Sequence, residues 1–131
     1  MFRLGMRSLL NLNGVHPDLV RVVKKAISIS EVDFTVIEGK RTLARQRQLL
    51  QQKATTTLNS RHIPGKDGYA KAVDIVPYVN GRIRWDWPLF YPLAEAMKMA
   101  ADIEQVKIVW GGDWKNFKDG PHFELDRTKY P

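Results

Sequence analysis

The stretch Ala70-Lys71-Ala72-Val73-Asp74-Ile75-Val76-Pro77-Tyr78-Val79-Asn80-Gly81-Arg82-Ile83 decides how this 131-residue chain is read. Ala70 to Val76 is short and apolar except for Lys71 and Asp74, the pattern of a strand that carries one carboxylate. Asn80-Gly81 lies between Tyr78-Val79 and Arg82-Ile83. It is a strong hairpin signal, because Asn and Gly tolerate the positive φ of a tight turn. A strand, a two-residue turn and a return strand predict an antiparallel element at the centre of the chain.

Upstream, Val32-Asp33-Phe34-Thr35-Val36-Ile37 alternates apolar with more polar residues, so a half-buried strand is expected to end at Gly39. Before it, Val15-His16-Pro17-Asp18 reads as a helix start, since Pro is tolerated in the first turn and Asp there suits the dipole. Leu19, Val22, Val23, Ala26 and Ile27 then recur at helical spacing, with Arg21, Lys24 and Lys25 on a solvated side. Thr42 can cap a second helix, with Leu43, Gln46, Arg47 and Leu50 on one side and Leu49 widening its apolar stripe. Ala54 to Tyr69 has no sustained period and reads as a long loop containing His62.

Downstream, Asp86 and Pro88 open a third helix whose inner stripe is Leu89, Leu93, Ala96, Met97 and Ala100, with Pro92 able to shorten its start. Val106, Ile108 and Trp110 alternate as a strand broken by Gly111-Gly112, and His122 to Leu125 alternates again. Helices and strands are interspersed, which favours an α+β fold. A small antiparallel or mixed sheet with about three helices packed mainly on one face would bury all three apolar stripes. Residues 1–131 are expected to form a single domain, without repeats or an interdomain linker.

Composition narrows the chemistry. The chain has no cysteine, which excludes disulfides, thiolate metal sites and a cysteine nucleophile, so any metal must use His, Asp or Glu. Met1 to Leu12 is interrupted by Arg3, Gly5 and Arg7 and is not expected to act as a signal peptide, and no apolar run is long enough to span a bilayer. The net charge of +7 is uneven: residues 1–53 carry ten Lys or Arg against four Asp or Glu, the remainder eleven against ten. Such a basic field attracts polyanions of any kind.

Only three histidines are present. His16 sits at a helix start, where capping explains it. His62, in Ser60-Arg61-His62, and His122, in Asp119-Gly120-Pro121-His122-Phe123-Glu124, offer two imidazoles, and Asp74 offers a carboxylate. Catalytic zinc is commonly held by three such ligands with one position open. A buried Asp in an apolar strand is costly unless paired or metal-bound; a salt bridge to Lys71 or Arg61 is the plain alternative. Asp119 can be a turn residue or a general base beside a metal. Glu124 shares a strand face with His122, as a second carboxylate or as the partner that orients its imidazole. Arg41 at the strand-to-helix turn can polarise a carbonyl or clamp a carboxylate.

Five motifs in order, Glu38-Gly39-Lys40-Arg41-Thr42 with Gln48 following, Ser60-Arg61-His62, Ala72-Val73-Asp74, Trp110-Gly111-Gly112-Asp113-Trp114 and Asp119-Gly120-Pro121-His122-Phe123-Glu124, resemble the D-alanyl-D-alanine metallopeptidase (VanY-like) family. The chain is most similar to the single-domain phage endolysins of that family, which act as L-alanyl-D-glutamate endopeptidases. The resemblance implies a Zn2+ site of His62, Asp74 and His122, with Asp119 as catalytic base and Arg41 stabilising the oxyanion. It also implies substrate contacts at Ser60, Asp113 and Trp114. Ile63 to Tyr69 lengthens the stretch between His62 and Asp74 beyond the family pattern, so this loop must fold back, and Asp67 becomes a rival ligand unless it is a surface turn. The family often has Glu where Asp119 stands.

The implied function is hydrolysis of the L-alanyl-D-glutamate bond in the stem peptides of bacterial peptidoglycan, lysing the host cell. The protein would be a monomer without stable membrane insertion or a separate wall-binding domain, held in the host cytoplasm until release. Two other functions fit part of the sequence. A D-alanyl-D-alanine carboxypeptidase would use the same metal site. A nucleic-acid-binding module would use Arg21, Lys24, Lys25, Arg41, Arg45 and Arg47, but no recognition motif accompanies these cations and no nucleic acid is expected as partner.

Overall fold

A computed structural model describes residues 1–52 and 60–131. Its elements are α1 (Met6–Asn11), α2 (Pro17–Ile29), β1 (Phe34–Glu38), α3 (Leu43–Gln51), β2 (Ala72–Val79), β3 (Arg82–Ile83), α4 (Trp87–Glu104), β4 (Ile108–Trp110) and β5 (His122–Leu125), with a 3-10 turn at Gly111–Asp113. The strands form one antiparallel sheet in the order β1-β2-β5-β4, with β3 paired to β2. The α+β expectation holds. The amino-terminal segment adds a fourth helix, α1, to the three expected from the sequence.

β2 is the spine of the sheet. It runs unbroken to Val79, longer than the segment ending at Val76 expected from the sequence, and passes through Pro77. The carbonyl of Pro77 accepts the Arg84 N–H, and its missing donor faces the same side, beyond the pairing with β5, which ends at Asp74, and beyond the two residues of β3, so the proline interrupts only the end of the hairpin. Asn80 and Gly81 have φ of 53° and 77°, as the tight hairpin turn requires.

The period-2 alternation of β2 and β5 divides the sheet into two faces. Val73 lies opposite Phe123, and Ile75 opposite Val36. These side chains are fully buried in the core with Leu19, Val22 and Val23 of α2 and Leu93 and Met97 of α4. Asp74 lies opposite His122, and Ala72 opposite Glu124, so the polar residues of both strands share the other face. α1 covers the free edge of β1: Ser8 Oγ accepts the Val36 N–H and Asn11 Nδ2 donates to the Val36 carbonyl. That arrangement satisfies backbone groups an exposed edge would offer to other chains.

Helix starts follow local chemistry. His16 Nδ1 accepts the Asp18 N–H at the start of α2, and Thr42 Oγ1 accepts the Arg45 N–H at the start of α3. The five apolar residues expected on the inner side of α2 are all buried. α4 starts at Trp87 and is not shortened by Pro92, which is accommodated inside the helix; Phe90 is buried where Leu89 was expected, and Leu89 is only half-buried.

α3 departs most from expectation. Its apolar stripe is not part of the core: Leu43 and Leu50 are exposed, Leu49 is half-buried, and the one fully buried side chain is Gln46. The helix is turned to point an amide inward, towards Arg41, and two of its leucines stay wet. Of the long loop expected over Ala54–Tyr69, residues 54–59 lie outside the described residues.

Phe123→Ala is expected to cost about 3–5 kcal/mol by opening a cavity between sheet and helices, whereas Leu50→Ala should change stability by no more than about 0.5 kcal/mol. Urea denaturation of the two variants checks both values, and a large loss at Leu50 would contradict the exposed position of α3.

Candidate metal centre

On the polar face of the sheet, His62, Asp74 and His122 bring one ligand atom each to within 4.8 Å of one another. Asp74 comes from the middle of β2, and His122 opens β5 directly opposite it. His62 arrives from the loop before β2. The inserted residues Ile63 to Tyr69 fold back through Gly65 N–H to Tyr69 O and Gly68 N–H to Gly65 O bonds, and the Lys71 N–H then bonds Arg61 O. Asp67 is held away from the cluster, accepting from Lys71 Nζ at 2.8 Å and from the Tyr69 N–H, so it is the surface turn residue and not a ligand.

The hydrogen bonds of the two imidazoles decide what they present. His62 Nδ1 lies 2.8 Å from the Gly39 carbonyl, which can only accept, so Nδ1 carries the proton. Its Nε2 then faces Asp74 Oδ1 at 3.2 Å with a lone pair. His122 Nε2 lies 2.9 Å from Glu124 Oε1 and donates to it, leaving Nδ1 facing the same Asp74 Oδ1 at 3.3 Å. With both imidazoles neutral, three acceptors converge on one point, and only a cation or an added proton relieves that arrangement.

The titration behaviour agrees. Burial acts to raise the Asp74 carboxyl, but hydrogen bonds with His122 and His62 hold it well below the usual range. Burial acts to lower the His122 pKa, yet Asp74 and Glu124 overcome it and push it up to about 9. Without a metal, the pocket therefore keeps a proton on His122, which a cation can displace. The two imidazoles, the carboxylate and their outer partners fit a divalent metal of the kind held by nitrogen and oxygen.

Glu124 is thus the partner that orients His122. It is buried, and its Oε2 lies 3.4 Å from Arg127 Nε and 3.7 Å from Arg61 Nε. Neither Lys71 nor Arg61 pairs with Asp74: Lys71 is engaged by Asp67, and Arg61 Nη2 donates to the Leu125 and Tyr130 carbonyls.

Asp119 sits half-buried in the turn before β5. Its N–H bonds the Gly111 carbonyl, and its own carbonyl accepts the His122 N–H. Burial and then the charge of Asp74 raise its pKa, opposed by His122, His62 and Arg41, so it lies within the field of the whole cluster. Gly111 makes this approach possible: a Cβ there would stand 2.4 Å from the Asp119 carbonyl oxygen. Gly39 plays the corresponding part for His62, since a Cβ would meet the Asn11 carbonyl at 2.1 Å.

Arg41 is nearly buried and fixed from three sides. Its Nε donates to Glu38, its Nη1 to Gln46 Oε1 at 2.6 Å and to Ser60 Oγ at 3.5 Å, and its N–H bonds the His62 carbonyl. The sequence groups Gln46 with an apolar stripe; an amide on the buried side of a helix facing a preceding Arg is the available signal. Ser60 Oγ also accepts the His62 N–H, placing it beside the ligand loop. The Trp114 ring leans over His122, with centroids 5.2 Å apart. Asp113 instead lies at the surface, paired with Lys98 at 2.7 Å.

An α+β domain with a His-Asp-His cluster on one sheet face, a shielded carboxylate and a fixed guanidinium beside it defines a metallopeptidase-like protein. Residues 1–129 match the phage L-alanyl-D-glutamate peptidase family, and the chain belongs to that family. It is 32% identical over 133 residues to the L-alanyl-D-glutamate peptidase of Escherichia phage T5, covering 98% of this chain and 93% of that one. It is 30% identical over 111 residues to the peptidoglycan L-alanyl-D-glutamate endopeptidase CwlK of Bacillus subtilis, covering 79% and 66% respectively. The crystal structure of the Serratia marcescens L-Ala D-Glu endopeptidase ChiX superposes with a TM-score of 0.90 at 43% identity, covering 99% of this chain and 94% of that one.

Glu124→Gln is expected to weaken metal binding roughly 10–100-fold by loosening the His122 ring. Because His122 holds its proton up to about pH 9 in the metal-free state, metal affinity should fall as pH is lowered. At pH 8, metal binding should release about one proton per chain. Calorimetry in buffers of different ionisation enthalpy measures both, and binding that releases no proton would contradict the hydrogen-bond assignment.

Proposed function

We propose that this protein is a zinc endopeptidase that cuts the L-alanyl-D-glutamate bond in the stem peptides of bacterial peptidoglycan. The observation that carries the reading is the convergence of His62 Nε2, His122 Nδ1 and Asp74 Oδ1, with both outer imidazole nitrogens already committed, in a chain of this family. A zinc ion held by these three residues would polarise the scissile carbonyl and acidify water at that point.

The chain's own residues supply the rest. Asp119, raised in pKa by burial and by Asp74, takes the proton from the attacking water at its carboxylate oxygen and delivers it to the nitrogen of the departing D-Glu amine. The carbonyl oxygen becomes negative as the tetrahedral centre forms, and the Arg41 guanidinium stands ready to balance it. Glu38, Gln46 and Ser60 keep that guanidinium from swinging away. Trp114 packs beside His122 at one side of the site. We assign Ser60 and Trp114 to substrate recognition on the strength of their contacts with His62 and His122, whereas Asp113 is turned to Lys98 and would have to leave that pair to contribute.

The basic residues of the first part of the chain draw the protein to the anionic wall. We place it as a monomer in the host cytoplasm until release, with host lysis as the outcome and nucleic acid playing no part. No helix among the described residues is long and apolar enough to cross a membrane.

Mass spectrometry of purified peptidoglycan digested by the zinc-loaded protein tests this reading. Fragments with a new D-Glu amino terminus are expected; released D-Ala or no product overturns it. Asp119→Ala should retain zinc and lose about 10²–10⁴-fold in kcat.

A further inference from the structure

Helix α1 is turned the wrong way for a surface helix. Ser8 is buried, and Leu12, one turn further on, is buried as well, whereas Met6, Leu9 and Leu10 are 76%, 49% and 67% exposed. Met6 and Leu10 are four residues apart and stand one above the other, with Leu9 beside them. Phe2, just ahead of the helix, is exposed too. The sheet accounts for the buried side, because Ser8 Oγ and Asn11 Nδ2 serve the N–H and carbonyl of Val36 at the edge of β1. It places no demand on the outward side, where a soluble helix ordinarily carries polar residues. Four large exposed apolar side chains within nine residues therefore call for another partner.

Charge selects that partner. Arg3 and Arg7 are exposed among these side chains, and neither has an ion-pair partner among the described residues. No acidic residue occurs before Asp18, which is engaged by Arg21 and Tyr130. Lys40 extends the cationic rim: it is exposed and lies against Gly14, just beyond α1, where an added Cβ would meet its Cδ at 2.7 Å. Glu38, two residues before Lys40, is taken by Arg41. A second copy of this chain would set these arginines against their own counterparts across a two-fold interface, with no carboxylate to separate them. An anionic wall polymer would satisfy the arginines and leave the methionine and leucines in water. A bilayer with anionic lipids answers both, since apolar side chains enter the boundary between headgroups and acyl chains while cations stay over the headgroups.

We propose that Phe2, Met6, Leu9 and Leu10, with Arg3, Arg7 and Lys40, form a docking surface for an anionic lipid bilayer. A helix as short as α1 cannot span a membrane, so the contact is peripheral and reversible. The surface sits at the β1 edge of the sheet and uses none of the metal ligands, nor Asp119 or Arg41. It goes beyond the endopeptidase reading and does not depend on it.

Co-sedimentation of the zinc-loaded protein with vesicles tests the proposal, using phosphatidylcholine alone and phosphatidylcholine mixed with an equal part of phosphatidylglycerol. Binding is expected only to the mixed vesicles and should weaken as salt is raised. Met6→Ser with Leu10→Ser, and separately Arg3→Gln with Arg7→Gln, should each lower the partition constant about 30-fold. All four side chains are exposed, so both double variants should unfold at the same temperature as the unaltered protein and retain zinc equally, which separates lost docking from lost structure. No binding to the mixed vesicles, equal binding to both kinds, or binding that survives the loss of Met6 and Leu10 would overturn the proposal. So would a lipid-free dimer in sedimentation equilibrium that the Met6 and Leu10 changes dissolve, because a second copy would then cover this side.

Discussion

The structure depends on one carboxylate, Asp74, held in a largely apolar strand between two imidazoles whose outer nitrogens are already committed to other partners. Gly39 and Glu124 occupy the outer nitrogens of His62 and His122, so the inner nitrogens and the carboxylate are all acceptors in the neutral state. An isolated charge in such a place is costly, and a buried cluster of acceptors equally so, unless a cation joins it. The raised pKa of His122 is the compensation the protein uses when no metal is bound. Metal binding exchanges that proton for an ion and leaves the surrounding hydrogen bonds in place.

Most of the fold can be understood as what holds these groups still. β2 carries Asp74 and β5 carries His122 at matched register, so the sheet ladder itself sets the spacing of two ligands. The opposite face of the same strands packs against α2 and α4 and anchors the ladder in the core. The third ligand comes from a loop, and its position is fixed by three local bonds: His62 Nδ1 to Gly39, Arg41 N–H to the His62 carbonyl, and Ser60 Oγ to the His62 N–H. Gly39 and Gly111 permit close approaches that a side chain would block, one behind His62 and one behind Asp119.

The residues that carry chemistry were legible because their types are costly in their settings. Asp74 stood out in an apolar strand, and the histidines were few. The period-2 alternation of Val32–Ile37 and His122–Leu125 and the Asn80-Gly81 turn located strands, and the helical spacing of Leu19 to Ile27 located α2. Less legible features depend on tertiary context. α1 is too short and mixed to announce itself, and forms where Ser8 and Asn11 can cap the edge of β1. The leucines of α3 suggested an inner side, but the requirement to meet Arg41 turned Gln46 inward instead. Whether Asp67 or Asp74 faced the histidines could not be read from spacing; the back-folded loop and the Lys71 pair decide it. Glu124 could be placed on the correct strand face by its spacing from His122, though not assigned between ligand and supporting partner.

The central claim is that a cation completes the group formed by His62, Asp74 and His122. Anomalous diffraction recorded on both sides of the zinc absorption edge, from crystals of protein incubated with one equivalent of zinc, tests it most directly. A single strong peak bonded to His62 Nε2, His122 Nδ1 and an Asp74 carboxylate oxygen, with the Gly39 and Glu124 hydrogen bonds retained, is the predicted result. Zinc bound elsewhere, or a vacant cluster in which Asp74 stays hydrogen-bonded to a doubly protonated His122, would contradict the account.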